Sequence, residues 1–147
     1  MTIRPARPGD APELAALAGE LGYPSTTAEL AGRLTPLLAD PAQAVLVAVD
    51  ADDRAVGWTH VVVRRQLDSD DWVEVAGLVV TAKQRGAGTG AALLAAAERW
   101  AVARGLPLVQ LHSNVVRERA HRFYRRQGYE PVKSQVLFRR RVDESST

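Results

Sequence analysis

A glycine-rich turn between a predicted strand and a predicted helix constrains the fold of this chain more than any other segment. The nonpolar residues 72–80 predict a strand, and the alanine- and leucine-rich residues 91–104 predict a helix. The turn QRGAGTG, residues 84–90, separates them, and three of its residues are glycines: Gly86, Gly88 and Gly90. The N–H groups at such a helix N-terminus are unpaired and carry a partial positive charge, and Arg85 adds a cation beside them. We therefore expect this turn to bind a phosphate or pyrophosphate group.

The whole pattern predicts one α/β domain of residues 1–142, followed by a disordered tail at residues 143–147. The predicted strands are residues 2–6, 44–49, 56–64, 72–80, 108–112, 130–132 and 135–140. The predicted helices are residues 11–21, 26 to about 38, 91–104 and 117–127. The expected order is β-α-α-β-β-β-α-β-α-β-β around a mixed sheet.

The composition argues against several other classes of protein. The chain has a formal net charge of only +2 over 147 residues, whereas nucleic-acid-binding proteins are typically strongly basic. The chain contains no cysteine, which excludes disulfides, thiolate nucleophiles and zinc–thiolate sites. His112 and His121 lack ligand spacing with each other or with a carboxylate, so we expect no metal. Without a signal-peptide pattern or a bilayer-length nonpolar segment, we expect a cytoplasmic protein with no membrane partner.

The glycine turn has several interpretations from its residues alone. A P-loop requires Lys and then Ser or Thr after its last glycine, whereas Gly90 is followed by Ala91 and Ala92. A dinucleotide-binding turn requires an acidic residue about 20 positions later. The chain there reads GLPLVQL, residues 105–111, and contains no acidic residue. A purely structural role, in which the glycines only permit tight packing, is the remaining alternative. Three glycines are, however, an entropically costly choice for packing alone.

Two motifs in the expected order resemble the GCN5-related N-acetyltransferase (GNAT) family. Arg85, Gly88 and Gly90 match its (Gln/Arg)-x-x-Gly-x-(Gly/Ala) motif, and the preceding LVV resembles its cofactor strand. The segment AHRFYRRQGYEPV, residues 120–132, resembles the family's helix that ends in a tyrosine and a Gly-aromatic pair. The resemblance covers nearly the whole chain and implies a single-domain, mixed, mostly antiparallel sheet flanked by helices.

The resemblance implies acetyl-CoA as co-substrate. Its pyrophosphate is expected on the turn formed by Arg85, Gly86, Ala87, Gly88, Thr89 and Gly90. Its pantetheine arm is expected to pair, like an added strand, with the backbones of Leu78, Val79 and Val80. A bulge near Ala76 and Gly77 would separate the strands to admit that arm. Asn114 is expected either to contact the pantetheine or to form a turn, and Arg117 to reach a CoA phosphate.

The resemblance also implies direct attack of an amine on the thioester, with Glu74 and Tyr124 as catalytic residues. Glu74 lies in a nonpolar strand, where a carboxylate suits a general base unless it faces solvent. His60, on the neighbouring strand, is the rival base or a residue that orients the substrate. Tyr124 matches the family's tyrosine beside the CoA sulfur and can protonate the thiolate, unless it is a core aromatic paired with Phe123. A backbone N–H near Val79 is expected to hold the oxyanion.

The acceptor is expected to be a primary amine of a small molecule, a peptide or a protein. Tyr23, Trp58 and His60 are the expected substrate-binding residues, although Trp58 also suits a core position. An acidic loop at residues 66–71 either favours cations at the acceptor mouth or is a solvated hairpin tip. A non-catalytic acyl-CoA sensor and a transferase of longer acyl groups stay open as functions. The nonpolar sequence QVLF in the last predicted strand suits a homodimer contact.

Overall fold

The computed structural model describes residues 1–143, which divide into the compact unit Met1–His112 and a second unit from Ser113 onward. The strands of the first unit are β1 (Thr2–Pro5), β2 (Gln43–Val49), β3 (Ala55–Gln66), β4 (Ser69–Val80) and β5 (Val109–Leu111). Its helices are α1 (Ala11–Glu20), α2 (Thr27–Ala39) and α3 (Thr89–Ala103), with short 3₁₀ turns at Pro8–Asp10 and Ala82–Gln84. The second unit contains α4 (Glu118–Arg126). Apart from Asp143, the expected disordered tail lies outside the described residues.

One five-stranded sheet, in the order β1-β2-β3-β4-β5, forms the centre of the first unit. The first three pairings are antiparallel, and β4 pairs with β5 in parallel. Parallel neighbours need a crossover connection, and α3 provides it between β4 and β5. The expected mixed, mostly antiparallel sheet with flanking helices is therefore confirmed.

Nonpolar side chains cover both faces of this sheet. Beneath α1 and α2, Leu14 and Leu34 form a cluster with Val45 and Val47 of β2. On the opposite face, α3 contributes the fully buried Leu93, which packs with residues of β2 and β3. The helical spacing of leucines and alanines and the β-branched residues of the strands therefore bury their predicted faces.

The residues expected to cap α2 and α1 behave differently. Thr26 and Glu29 form the predicted capping box of α2, since each side chain accepts a hydrogen bond from the other residue's backbone N–H at 3.0 Å. Asp10 precedes α1 as expected but does not cap it with its side chain. The Asp10 carboxylate instead accepts from Arg4, at 2.8 Å and 2.9 Å, and from the backbone N–H of Arg7. This part-buried ion pair joins the start of the sheet to the start of α1.

Two segments differ from the prediction. The two final strands, residues 130–132 and 135–140, are not formed, and residues 129–143 contain neither helix nor strand. A strand requires a pairing partner, and none is assigned to this segment within the described residues, whatever its β propensity. The predicted acidic loop is mostly strand, because β3 extends to Gln66 and β4 begins at Ser69. No helix among residues 1–143 is both long enough and nonpolar enough to cross a membrane.

Candidate active site

The glycine turn forms the N-terminus of α3. Gly86 and Gly88 both have φ of +83°, a left-handed conformation that strains other residues, and Gly88 is the N-cap. Within residues 1–143, no backbone acceptor pairs with the N–H groups of Gly86, Gly88 or Gly90. Arg85 is exposed beside them. Bare donors at a helix N-terminus next to a cation fit a pyrophosphate.

β4 has a bare edge just before this turn. Its pairing with β5 ends at Val75 and Leu111, whereas its pairing with β3 continues to Val80 and Gly57. On the β5 side, no strand is therefore assigned to the last residues of β4 within the described chain: Leu78, Val79 and Val80. The side chains of Leu78 and Val80 pack on the core cluster around Leu93, so their backbones are what a ligand can use. A bare strand edge suits an arm that contains amides.

The bulge predicted near Ala76 and Gly77 is present. His60 pairs with Gly77 and the next residue, Val61, pairs with Val75, which leaves Ala76 as an extra residue in β4. The fully buried Thr59 donates a hydrogen bond to the Gly77 carbonyl at 2.8 Å. The pairing with β5 stops at this bulge, which is where the two strands must separate to expose the edge.

Trp58 is largely a packing residue. It lies against the nonpolar cluster beneath α1 and α2. Its ring also covers Gly77, where an added Cβ would lie 2.8 Å from Trp58 Cζ3. Among the described residues, the buried Trp58 Nε1 has no hydrogen-bond partner. This placement favours the core interpretation of Trp58 and explains why residue 77 is glycine.

Polar residues occupy the same face of the sheet beyond that nonpolar cluster. In the register, Val62 lies between Gln43 of β2 and Glu74 of β4, and Glu74 lies opposite Gln110 of β5. Residues directly opposite each other in a sheet share a face, as do residues two apart along a strand. His60 and Arg64 flank Val62 on β3 and therefore share this face. We call the following set the polar cluster: Gln43, His60, Arg64, Glu74 and His112.

Glu74 is the mostly buried carboxylate of the polar cluster, with a side chain 15% exposed. Arg64 Nη2 donates to Glu74 Oε2 at 2.9 Å, and His112 Nδ1 lies 3.8 Å from Glu74 Oε1. Glu74, the predicted base, is therefore not a solvent-exposed carboxylate but one held in an ion pair with Arg64. A carboxylate fixed in this way can attract a cationic substrate as well as accept a proton.

His60 lies at the end of a hydrogen-bonded chain. Its Nε2 is 2.8 Å from Gln43 Oε1, and Gln43 Nε2 donates to Asp40 Oδ2 at 2.9 Å. Burial lowers the pKa of His60 below its ordinary value, and the positive charge of Arg64 lowers it further, partly offset by Glu74. At neutral pH the His60 ring is therefore uncharged and able to accept a proton.

The second unit contains the remaining predicted site residues. Asn114 forms a turn, since its Oδ1 accepts the backbone N–H of Val116 at 3.2 Å. Arg117 is the N-cap of α4 and is exposed. The Tyr124 ring contacts the Phe123 ring in a tilted arrangement, with centroids 5.3 Å apart and planes at 59°. Burial raises the pKa of Tyr124, partly offset by Arg117, which keeps the phenol protonated as an acid requires.

The residues expected to bind the acceptor differ in their surroundings. Tyr23 follows α1 and is 67% exposed, whereas Trp58 packs in the core. Asp68 is at the hairpin tip between β3 and β4, and Asp71, within β4, pairs with Arg65. The sequence pattern alone does not indicate Gln43, Arg64 or Asp40 as site residues. Their signal is contained only in the strand register, because Gln43 and Asp40 are far from His60 along the chain.

Comparison with known proteins identifies relatives along nearly the full length. The model of the Acetyltransferase (GNAT) family matches residues 13–129. An aminoglycoside N(6′)-acetyltransferase type 1 of Stenotrophomonas maltophilia is 33% identical over 99% of this chain and 96% of its own length. An aminoalkylphosphonate N-acetyltransferase of Salmonella typhimurium is 40% identical over 50% of this chain and 49% of its own length.

Solved structures show the same fold. An aminoglycoside N-acetyltransferase, AAC(6′)-Iy in complex with CoA, superimposes with a TM-score of 0.82 at 20% identity. The match covers 95% of this chain and 99% of that chain. At this identity the likeness establishes the fold.

Proposed function

Because the chain belongs to the GNAT acetyltransferase family, we propose that it transfers an acetyl group from acetyl-CoA to a primary amine of a small molecule by direct attack. The observation that carries the proposal is the bare β4 edge that leads into the bare N–H groups of the glycine turn. An extended amide-containing arm and a pyrophosphate match these two features in that order along the chain. Acetyl-CoA carries both groups.

The reaction needs one proton acceptor and one proton donor. An ammonium acceptor must lose a proton before its nitrogen attacks the thioester carbonyl, and the departing CoA thiolate must gain one. Glu74 and His60 of the polar cluster are the candidate bases, and Tyr124 is the candidate acid. A backbone N–H near Val79 is the candidate donor to the oxyanion. The chain has no cysteine to carry an acyl-enzyme intermediate, which favours direct transfer.

A cationic small molecule is the acceptor that the polar cluster favours. Glu74 holds a negative charge on a half-covered sheet face, where an ammonium group is attracted. The relative that matches 99% of this chain is named for aminoglycosides, and another relative is named for aminoalkylphosphonates. We therefore rank polyamino sugars first among the acceptors and aminoalkylphosphonates second. Peptide amines, longer acyl groups and a homodimer remain hypotheses.

An acceptor screen tests this proposal. Release of the CoA thiol is measured with acetyl-CoA and a panel of aminoglycosides, aminoalkylphosphonates and peptides. We expect saturable release with at least one aminoglycoside. Binding of acetyl-CoA, shown by a raised melting temperature, without release on any amine would instead identify an acyl-CoA sensor and refute the transferase.

A pair of glycine variants tests the cofactor half. Gly88→Ala puts a side chain on a residue with φ of +83° at the N-cap, so we expect a higher KM for acetyl-CoA. Gly105→Ala carries the same kind of strain at φ of +71°, after the other end of α3. Both should lower stability by roughly 1 kcal/mol, but only Gly88→Ala should raise the KM. Equal KM values for the two variants would remove the glycine turn from the cofactor site.

A further inference from the structure

We propose that His60 takes the proton of the acceptor amine at Nδ1, and that Gln43 and Asp40 are positioning residues that hold its ring in the required tautomer. The proton transfer rests on the proposed acetyl transfer. The tautomer rests on contacts within the sheet and can be tested without any activity.

The contact with Asp40 fixes the orientation of the Gln43 amide. Asp40 accepts a hydrogen bond from the backbone N–H of Ala42 at 2.9 Å, and an aspartate carboxyl in such a setting is ionised at neutral pH. An ionised carboxylate only accepts hydrogen bonds. The group of Gln43 that faces Asp40 Oδ2 at 2.9 Å must therefore be the NH₂ group. Its carbonyl oxygen is consequently the atom that faces His60.

The contact with Gln43 in turn fixes the tautomer of His60. An amide oxygen only accepts, so the His60 Nε2 that lies 2.8 Å from it must carry a proton. A neutral imidazole has one protonated nitrogen, and Nδ1 is then a free lone pair. Among the described residues, no hydrogen-bond partner is assigned to His60 Nδ1. The chain Asp40–Gln43–His60 thus orients a base through a second and a third group, which is the logic of a catalytic triad.

The charges around His60 suit a base that must be neutral at rest and stable when protonated. Arg64 on its own strand disfavours the imidazolium, Glu74 on β4 favours it, and Asp40 acts through Gln43 from the turn before β2. His112, after β5, faces Glu74 rather than His60. Arg64 already holds Glu74 Oε2 in an ion pair, whereas no hydrogen-bond partner is assigned to His60 Nδ1 among the described residues.

The proposed transfer begins with the ammonium group of the acceptor. The acceptor ammonium gives one proton to His60 Nδ1 and becomes a neutral amine. The amine nitrogen forms a bond to the thioester carbonyl carbon, and the carbon–sulfur bond breaks. The thiolate takes a proton from Tyr124, and the second proton that the nitrogen loses as the amide forms returns to the Tyr124 phenolate through solvent. The His60 imidazolium then releases its proton to solvent. Glu74 keeps its charge throughout and stabilises both the ammonium and the imidazolium.

Nitrogen NMR tests the tautomer independently of catalysis. The chain has three histidines, so the variants His112→Gln and His121→Gln assign the His60 ring by elimination. We expect the Nε2–H form to dominate in the unaltered protein and to give way to a mixture in Gln43→Leu, which removes the acceptor. A dominant Nδ1–H form in the unaltered protein would overturn the proposal, whether or not any amine is acetylated.

A pH–rate profile tests the role of His60. Gln43→Glu keeps an acceptor for Nε2–H but places a carboxylate beside the ring. We expect the acid limb of kcat/KM for the amine to move up by about one pH unit or more, because a nearby opposite charge favours the imidazolium. Gln66→Glu adds the same charge at the far end of β3, where we expect no movement. Gln43→Glu also places two carboxylates side by side, at positions 40 and 43, and their repulsion disfavours folding. In the double variant Asp40→Asn/Gln43→Glu, the new amide at position 40 donates a hydrogen bond to the new carboxylate at position 43, and the same movement of the acid limb is expected.

Two base variants decide between the rivals. His60→Asn should lower kcat/KM about 100-fold or more and abolish the acid limb, with the KM for acetyl-CoA unchanged. Glu74→Gln should raise the KM of a cationic amine and retain the limb. The opposite pattern, with the limb lost in Glu74→Gln and kept in His60→Asn, would assign the base to Glu74 and refute this inference. Failure of the acceptor screen would refute the transferase instead and leave the NMR result standing.

Discussion

Replacement of Gly57 by alanine is the sharpest stability test that the structure offers. A Cβ at this position would lie 2.8 Å from the backbone oxygen of Val79, 3.0 Å from Leu93 Cδ1 and 3.4 Å from Thr89 Cγ2. Real Cβ contacts essentially never fall below 3.0 Å, so an atom must move. The atom in the way is a carbonyl of the β3–β4 ladder and not the end of a flexible side chain. The strain therefore falls on the β4 backbone.

The size of the effect follows from this geometry. Forcing a methyl group into a packed site costs about 1–3 kcal/mol, and here the neighbour that must yield is backbone. For a chain of this length, that range lowers the melting temperature by roughly 3–10 °C. Gly32→Ala is the matched control, because an added Cβ in the middle of α2 meets nothing within 4 Å. Alanine is there the better helix former by about 1 kcal/mol, so we expect a rise of roughly 2–4 °C.

Thermal unfolding and acetyl-CoA kinetics together check this prediction. Gly57→Ala should lower the melting temperature and also raise the KM for acetyl-CoA, because Val79 lies on the proposed cofactor edge. Gly32→Ala should raise the melting temperature and leave that KM unchanged. If Gly57→Ala melted at or above the unaltered protein, the close approach of β3 and β4 at this point would be wrong.

Three further changes test the core beneath α3, the Arg4–Asp10 ion pair and the bulge in β4. Leu93 is 0% exposed, so Leu93→Ala should lower the free energy of unfolding by about 2–5 kcal/mol. Val102 on the same helix is 72% exposed, and Val102→Ala should change that free energy by less than about 0.5 kcal/mol. Denaturant titration measures both values. Asp10→Asn breaks the part-buried ion pair with Arg4, which keeps its second partner Asp53, and should cost about 2 kcal/mol at pH 7. The partner holds the pKa of Asp10 below its ordinary value, so the lost stability is present above about pH 4 and the difference from the unaltered protein should disappear as the pH falls. Deletion of Ala76 removes the bulge and should abolish cooperative unfolding by circular dichroism, while Ala76→Gly, which keeps the residue count, should not.

Signals that lie close together in the sequence predicted most of the fold. The Thr26–Glu29 capping box and the glycines at the start of α3 each act within a few residues, and both appear where they were predicted. The bulge was also predictable, because an internal glycine in a nonpolar strand often marks one. The two final strands were not, because the β propensity of residues 130–140 does not supply a pairing partner.

The candidate site was only half predictable for the same reason. Its cofactor side consists of consecutive residues, so a linear motif reveals it. Its acceptor side forms across strands: His60 contacts a residue 17 positions away, and Arg64 contacts one 10 positions away. Glutamine and arginine in such positions have no distinctive local pattern. The strand register, which no single segment encodes, is what brings them together.

The bulge at Ala76 connects the two halves of the site. Gly77 and Val79 share the face of His60 and Trp58, since they lie opposite them in the register. In a regular strand, Val75 and Val73 would follow on that face, and Glu74 would point into the core beneath α3. The extra residue shifts the alternation by one, so that Glu74 joins His60 while the almost fully buried Val73 and Val75 cover the α3 side. The same residue also marks where the pairing with β5 stops and the cofactor edge begins. One insertion in β4 therefore both exposes the backbone that would receive acetyl-CoA and places a carboxylate beside the group that would deprotonate the amine.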